Sequence, residues 1–184
     1  MADIKLRTYK PEILKKAKKI KLIAMDIDGV LTNGDIIVRE SGEEVKIWNV
    51  RDRIAFHFAE KSKSHLKFVW ITGRGSRQVE QRAAEIKIDS LYQYCMNKKE
   101  ALCDLMNKYS LSSEKIAFIG DDLIDIPVLN LVGLSMCPAD AAIEVLRNVD
   151  IISRYNGGKG VLREMVEIIL KSKGLWEKLV NEYT

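Results

Sequence analysis

Short apolar runs alternate along the chain with segments of helical periodicity. The runs at residues 21–25, 66–71, 116–119 and 151–152 read as strands, continuous enough to be buried on both faces. Helical patterns fall between them at 54–61, 78–86, 99–109 and 141–147, and 161–171 closes the series. Repeated strand–helix alternation predicts an α/β fold: a Rossmann-like parallel sheet with helices on both faces. One stretch breaks the alternation. Residues 35–49, DIIVRESGEEVKIWN, form two β-rich runs around Ser41-Gly42, which predicts a β-hairpin insertion.

The ends of the chain add little to this. Pro11 can open a helix that places Ile13, Leu14, Ala17 and Ile20 on one face, an N-terminal helical extension over residues 1–18. That apolar face is short, so packing on its own domain is the expectation, and no stretch is long enough to span a bilayer. The first residues are too polar for a signal-peptide core. The 184 residues, 47% hydrophobic, suit one domain over 1–184, with 172–184 as a C-terminal tail. Thirty basic against 26 acidic residues give a net charge of +4, which suits an anionic small substrate better than nucleic acid. Three cysteines without a C-x-x-C pair point to reduced thiols in a cytoplasmic protein.

The chemistry gathers at the carboxyl ends of the predicted strands. The first run ends in Asp26-Ile27-Asp28-Gly29, the second in Thr72-Gly73-Arg74, and a later one in Gly120-Asp121-Asp122 with Asp125 following. In open α/β sheets ligands bind outside those ends, so these groups should converge. Carboxylates brought together repel one another unless a hard divalent cation lies between them, and carboxylate and carbonyl oxygens suit magnesium.

The motifs DIDGVLTNG, ITGR, Lys98 in LYQYCMNK, and IGDDLID resemble the four ordered motifs of the haloacid dehalogenase superfamily of phosphohydrolases. NGDIIVRESGEEVKIWNVRD and YNGGKGVLREMVEIIL are similar to the 3-deoxy-D-manno-octulosonate 8-phosphate (KDO 8-phosphate) phosphatase subfamily. The resemblance implies a magnesium-dependent phosphatase for a sugar-acid phosphate, cytoplasmic and serving lipopolysaccharide biosynthesis. It implies Asp26 as nucleophile, Asp28 as general acid and base, and Thr72 and Lys98 as partners of the phosphoryl oxygens. Metal ligands would be Asp26, Asp121 and the Asp28 carbonyl. Asp122 and Asp125 would hold metal-bound waters or orient Lys98. Arg51 and Asp52 match the subfamily's substrate loop, with Asn49, His57, Arg74 and Arg82 as further candidates for substrate contacts. Arg53, Ala55 and His57 depart from its usual Gly, Gly and basic residue.

The segment between Asp28 and Thr72 holds only the hairpin and one helix, and that between Thr72 and Asp121 little more than helices and one short strand, so neither leaves chain for an independent cap domain, whose own core needs more than ~40 residues. A capless site is open in one subunit. The hairpin, with Ile36, Val38, Val45, Ile47 and Trp48, is too apolar to stand alone in water. The subfamily implies a homotetramer in which hairpins join and a neighbour covers the site. Two other readings remain. Relatives of the subfamily act on nonulosonate 9-phosphates. A receiver-type signalling module also combines acidic residues, a Thr and a Lys, but by resemblance its phospho-accepting Asp lies on a middle strand of the chain, where this sequence has Thr72.

Overall fold

The computed structural model describes residues 9–184, and the first eight residues of the expected N-terminal extension lie outside that range. The chain runs through α1 (Pro11–Lys19) and β1 (Leu22–Met25) into a hairpin of β2 (Ile37–Val38) and β3 (Glu44–Val45). Then follow α2 (Val50–Lys61), β4 (Lys67–Ile71), α3 (Arg77–Glu85), β5 (Ser90–Tyr92), α4 (Lys98–Tyr109) and β6 (Ile116–Ile119). The last part holds α5 (Ile126–Leu129), β7 (Leu134–Cys137), α6 (Ile143–Leu146), β8 (Ile151–Ile152), α7 (Val161–Ser172) and α8 (Trp176–Asn181).

Six strands form one sheet in the order β5-β4-β1-β6-β7-β8, and every pairing is parallel. Because side chains alternate along a strand, β1 splits between two cores. Ile23 and Met25 pack with α1, α2, α3, α7 and α8 on one face. Leu22 and Ala24 pack with α4, α5 and α6 on the other. The chain leaves β1 for β4 on one side and returns to β6 on the other, so the crevice at the end of β1 is the switch point where such sheets bind ligands.

The capless fold with a hairpin insertion is as expected, and the short strand expected between Thr72 and Asp121 is β5. Three elements were not anticipated. The apolar run of β7 is interrupted by Ser135, whose amide and hydroxyl both donate to Asp150, so the buried polar residue is hydrogen-bonded. α5 begins immediately after Asp125, behind a 3-10 turn capped by Asp122. The expected C-terminal tail is in part a helix, α8. Its Trp176 packs edge-on to Phe58 of α2, and Tyr183 beyond it does the same.

Helix starts follow local capping. α2 begins four residues before the periodic pattern at 54, because the Asn49 side chain accepts the Arg51 amide at 2.9 Å. Ser76 does the same for α3, accepting the Val79 amide at 3.2 Å.

Candidate active site

β1, β4 and β6 are in register, with Met25 level with both Trp70 and Ile119. The residues just past those positions therefore emerge at one end of the sheet: Asp26, Thr72 and Asp121. Gly29 permits the loop after Asp26 to close against the loop after β6. Its φ is +87°, and a Cβ there would stand 2.0 Å from Asp121 Oδ2. Gly157 closes the same loop from the other side, since its Cβ would meet the Gly29 carbonyl oxygen at 2.0 Å.

Lys98, at the first turn of α4, is 1% exposed. Its Nζ lies 2.8 Å from Asp26 Oδ2 and 2.7 Å from Asp125 Oδ1. Burial works against the ammonium, but the two carboxylates outweigh it and raise its pKa above the ordinary lysine value. Asp125 is fully buried, and its second oxygen accepts the amides of Asp121 and Asp122 at 3.0 and 3.3 Å. Asp125 thus contacts both Lys98 and the Asp121 loop. Asp122 is exposed and its Oδ1 accepts the Leu123 amide, so that oxygen caps the 3-10 turn.

One carboxylate oxygen each from Asp26, Asp121 and Asp125 lie within 4.8 Å of one another. Burial pushes the Asp26 carboxyl up to about 6 despite Lys98. Burial, then repulsion from Asp26 and Asp125, pushes Asp121 up to about 8. Asp121 Oδ1 is buried and has no hydrogen-bond partner. Both oxygens of Asp125 are already bonded, whereas Asp121 keeps a bare acceptor beside Asp26. A divalent cation fits that donor set and would reverse the cost of charging both acids.

Thr72 is 2% exposed; its amide donates to the Tyr92 carbonyl and its hydroxyl accepts the Arg74 amide at 3.1 Å. Asp28 stands apart from the carboxylate cluster. Its Oδ1 pairs with the Lys46 ammonium from the hairpin and lies 3.5 Å from the Thr32 hydroxyl. Lys46 is a site residue the sequence did not disclose, because a lysine in a hairpin normally reads as solvated surface.

Residues 90–165 match the family model for haloacid dehalogenase-like hydrolases. The 3-deoxy-D-manno-octulosonate 8-phosphate phosphatase of Escherichia coli (strain K12) is 40% identical over 163 residues, covering 89% of this chain and 86% of that protein. The chain belongs to the haloacid dehalogenase-like hydrolases, in the family of 3-deoxy-D-manno-octulosonate 8-phosphate phosphatases.

Solved structures agree with this membership. The Yersinia pestis phosphatase of that name superposes with a TM-score of 0.87 at 36% identity, covering 91% of this chain and 89% of that one. The Moraxella catarrhalis enzyme, solved with magnesium, phosphate and KDO, superposes with a TM-score of 0.91 at 33% identity, covering 96% and 100%.

The residues expected to touch substrate divide into two groups in this hydrolase. Arg74 sits at the site rim, ion-paired with Glu44 of the hairpin. Asn49 caps α2 and donates to the Gly158 carbonyl at 2.8 Å, tying the hairpin's end to the glycine loop. Arg51 lies over the Tyr155 ring at 5.9 Å. The remainder are engaged elsewhere. Asp52 is buried and accepts the amides of Gly160 and Arg163 at 3.1 Å, which caps α7. Burial pushes its carboxyl up to about 6 against those bonds. His57 Nε2 lies 3.1 Å from the Tyr183 hydroxyl. Arg82 pairs with Glu85 and lies 6.0 Å from the Trp48 ring, itself stacked on Trp70.

Proposed function

We propose that this chain is a magnesium-dependent phosphatase that hydrolyses 3-deoxy-D-manno-octulosonate 8-phosphate to the free sugar acid and phosphate. The observation that carries this reading is the pairing of Asp26 with a buried Lys98 beside the unpartnered oxygen of Asp121. It is the arrangement a phosphoryl-accepting carboxylate needs. A free acid surrounded only by acids would be protonated and inert.

Asp26 attacks phosphorus and forms an aspartyl-phosphate, splitting hydrolysis into two steps. Asp28 gives a proton to the departing ester oxygen, then takes one from the water that hydrolyses the intermediate. Lys98 and the Thr72 loop hold the phosphoryl oxygens, and Lys98 neutralises charge that develops on them. Asp26, Asp121 and the Asp28 carbonyl would hold the magnesium ion, which would supply further neutralisation of negative charge during phosphoryl transfer. Asp125 positions Lys98. Arg74 and Arg51 are the guanidinium groups placed to meet the sugar acid's carboxylate.

Ile36, Val38 and Ile47 are 53%, 58% and 62% exposed on the hairpin. An apolar surface of that kind on a two-stranded element supports a homotetramer in which hairpins pair and a neighbour walls the site. α8 and Tyr183 pack on Phe58 of their own chain.

A panel of sugar phosphates separates this reading from its nearest alternative. The KDO ester should be turned over with the highest kcat/KM. Preference for a nonulosonate 9-phosphate would transfer the assignment to that substrate. A long-lived phospho-Asp26 without turnover on any ester would favour a signalling module.

A further inference from the structure

Side chains alternate along the second arm of the hairpin, and the two sides do different things. Ile47 is open to solvent, whereas the Lys46 side chain is only 4% exposed. An ammonium withdrawn from water needs counter-charges. Lys46 finds its counter-charge in Oε2 of Glu44 at 4.0 Å and donates a hydrogen bond to Oδ1 of Asp28, which can accept it while Oδ2 carries a proton. Glu44 Oε1 in turn pairs with Arg74, whose amide donates to the Thr72 hydroxyl at 3.1 Å. The hairpin thus ties together the two loops that carry Asp28 and Thr72. On Asp28, the contacts from Lys46 and Thr32 both fall on Oδ1, which leaves Oδ2 for proton exchange.

We infer that Lys46 is a positioning residue for Asp28, and that the hairpin is therefore part of the proton-transfer apparatus as well as an assembly element. The inference rests on the reading of Asp28 as acid and base. In the first step an Asp26 oxygen bonds to phosphorus and the ester P–O bond breaks, its electron pair leaving with the ester oxygen. The proton of Asp28 goes to that oxygen. Asp28 then carries a new negative charge, and an ammionium already in place stabilises it without reorganisation. In the second step the Asp28 carboxylate takes a proton from water as the water oxygen bonds to phosphorus and Asp26 is released. Throughout, Lys46 acts only through Asp28.

This role has a signature that simple support of the fold lacks. An alkoxide leaving group needs the proton, whereas 4-nitrophenolate departs without it. The test compares kcat/KM for the alkyl ester KDO 8-phosphate with that for 4-nitrophenyl phosphate at saturating magnesium. The variants are Lys46→Met, Lys46→Gln and Lys46→Arg, with Asp28→Asn as reference. General acid catalysis contributes about 100- to 10,000-fold. Lys46→Met and Lys46→Gln should lose roughly ten- to a hundredfold of that on the alkyl ester but less than about threefold on the aryl ester, and Lys46→Arg should recover most of it. Equal losses on the two esters in both neutral variants, or no loss on the alkyl ester, would overturn the inference while the Asp28→Asn split stands. Should Asp28→Asn itself lose both esters equally, the acid assignment falls and the inference with it.

Discussion

The ammonium of Lys98 stands 2.7 Å from Oδ1 of Asp125, and both side chains are sealed from solvent. A buried pair of this kind adds little stability in itself, but removing one partner strands the other's charge, at a cost of about 3–5 kcal/mol. Lys98→Met should therefore lower the unfolding free energy by roughly that amount and reduce kcat by about 100- to 1,000-fold. Lys98→Met combined with Asp125→Asn should recover part of the stability, because Asp26 still lacks its cation, and none of the activity. Denaturant unfolding together with phosphate-release kinetics checks both halves. Activity recovered by the double variant would place Lys98 outside the chemistry.

Asp52 makes a prediction about pH. Its carboxyl is raised from 3.8 to about 6 by burial, which the Gly160 and Arg163 amides only partly offset. Between those values the native state binds more protons than the unfolded state, so stability falls as pH rises through the window and levels off above it. The change belonging to this residue is about 3 kcal/mol. Unfolding free energies of the wild type minus those of Asp52→Asn should decline from pH 4 to about 6.5 and stay flat above. A difference that rises with pH would mean the helix-capping bonds outweigh burial.

Much of the site was legible because its residues follow buried strands directly. Asp26, Thr72 and Asp121 each end a run whose apolar continuity fixes it in the sheet, and parallel register then brings the three together. Lys98 was legible only through motif resemblance, since a lysine at a helix start carries no sign of being buried. Lys46 was not legible, because its burial comes from the hairpin folding back on Asp28, a contact across 18 residues. The bonds Asp52 makes were equally hidden. Its place in a substrate-loop motif gave no hint that its oxygens would cap a helix 108 and 111 residues away. β7 escaped because Ser135 breaks its apolar run, and only Asp150 makes that serine affordable.

The hairpin carries a prediction about assembly. Charged substitutions at Val38 and Ile47, both open in the single subunit, should dissociate the proposed homotetramer. They should raise KM for KDO 8-phosphate more than KM for a small aryl phosphate, because only the sugar acid needs the neighbour's wall. Sedimentation velocity and paired kinetics check this. An active monomer with unchanged selectivity would show that the hairpin serves its own subunit alone.

Asp26 is proposed as a phosphoryl-accepting nucleophile working with magnesium. The most direct measurement is phosphate release from KDO 8-phosphate by wild type and Asp26→Asn, each with magnesium and after exhaustive chelation. Turnover is expected in the wild type with magnesium, lost on chelation and restored on adding the ion back, and none is expected in the variant under either condition. Full wild-type turnover after chelation, or near-normal turnover by Asp26→Asn, would contradict it.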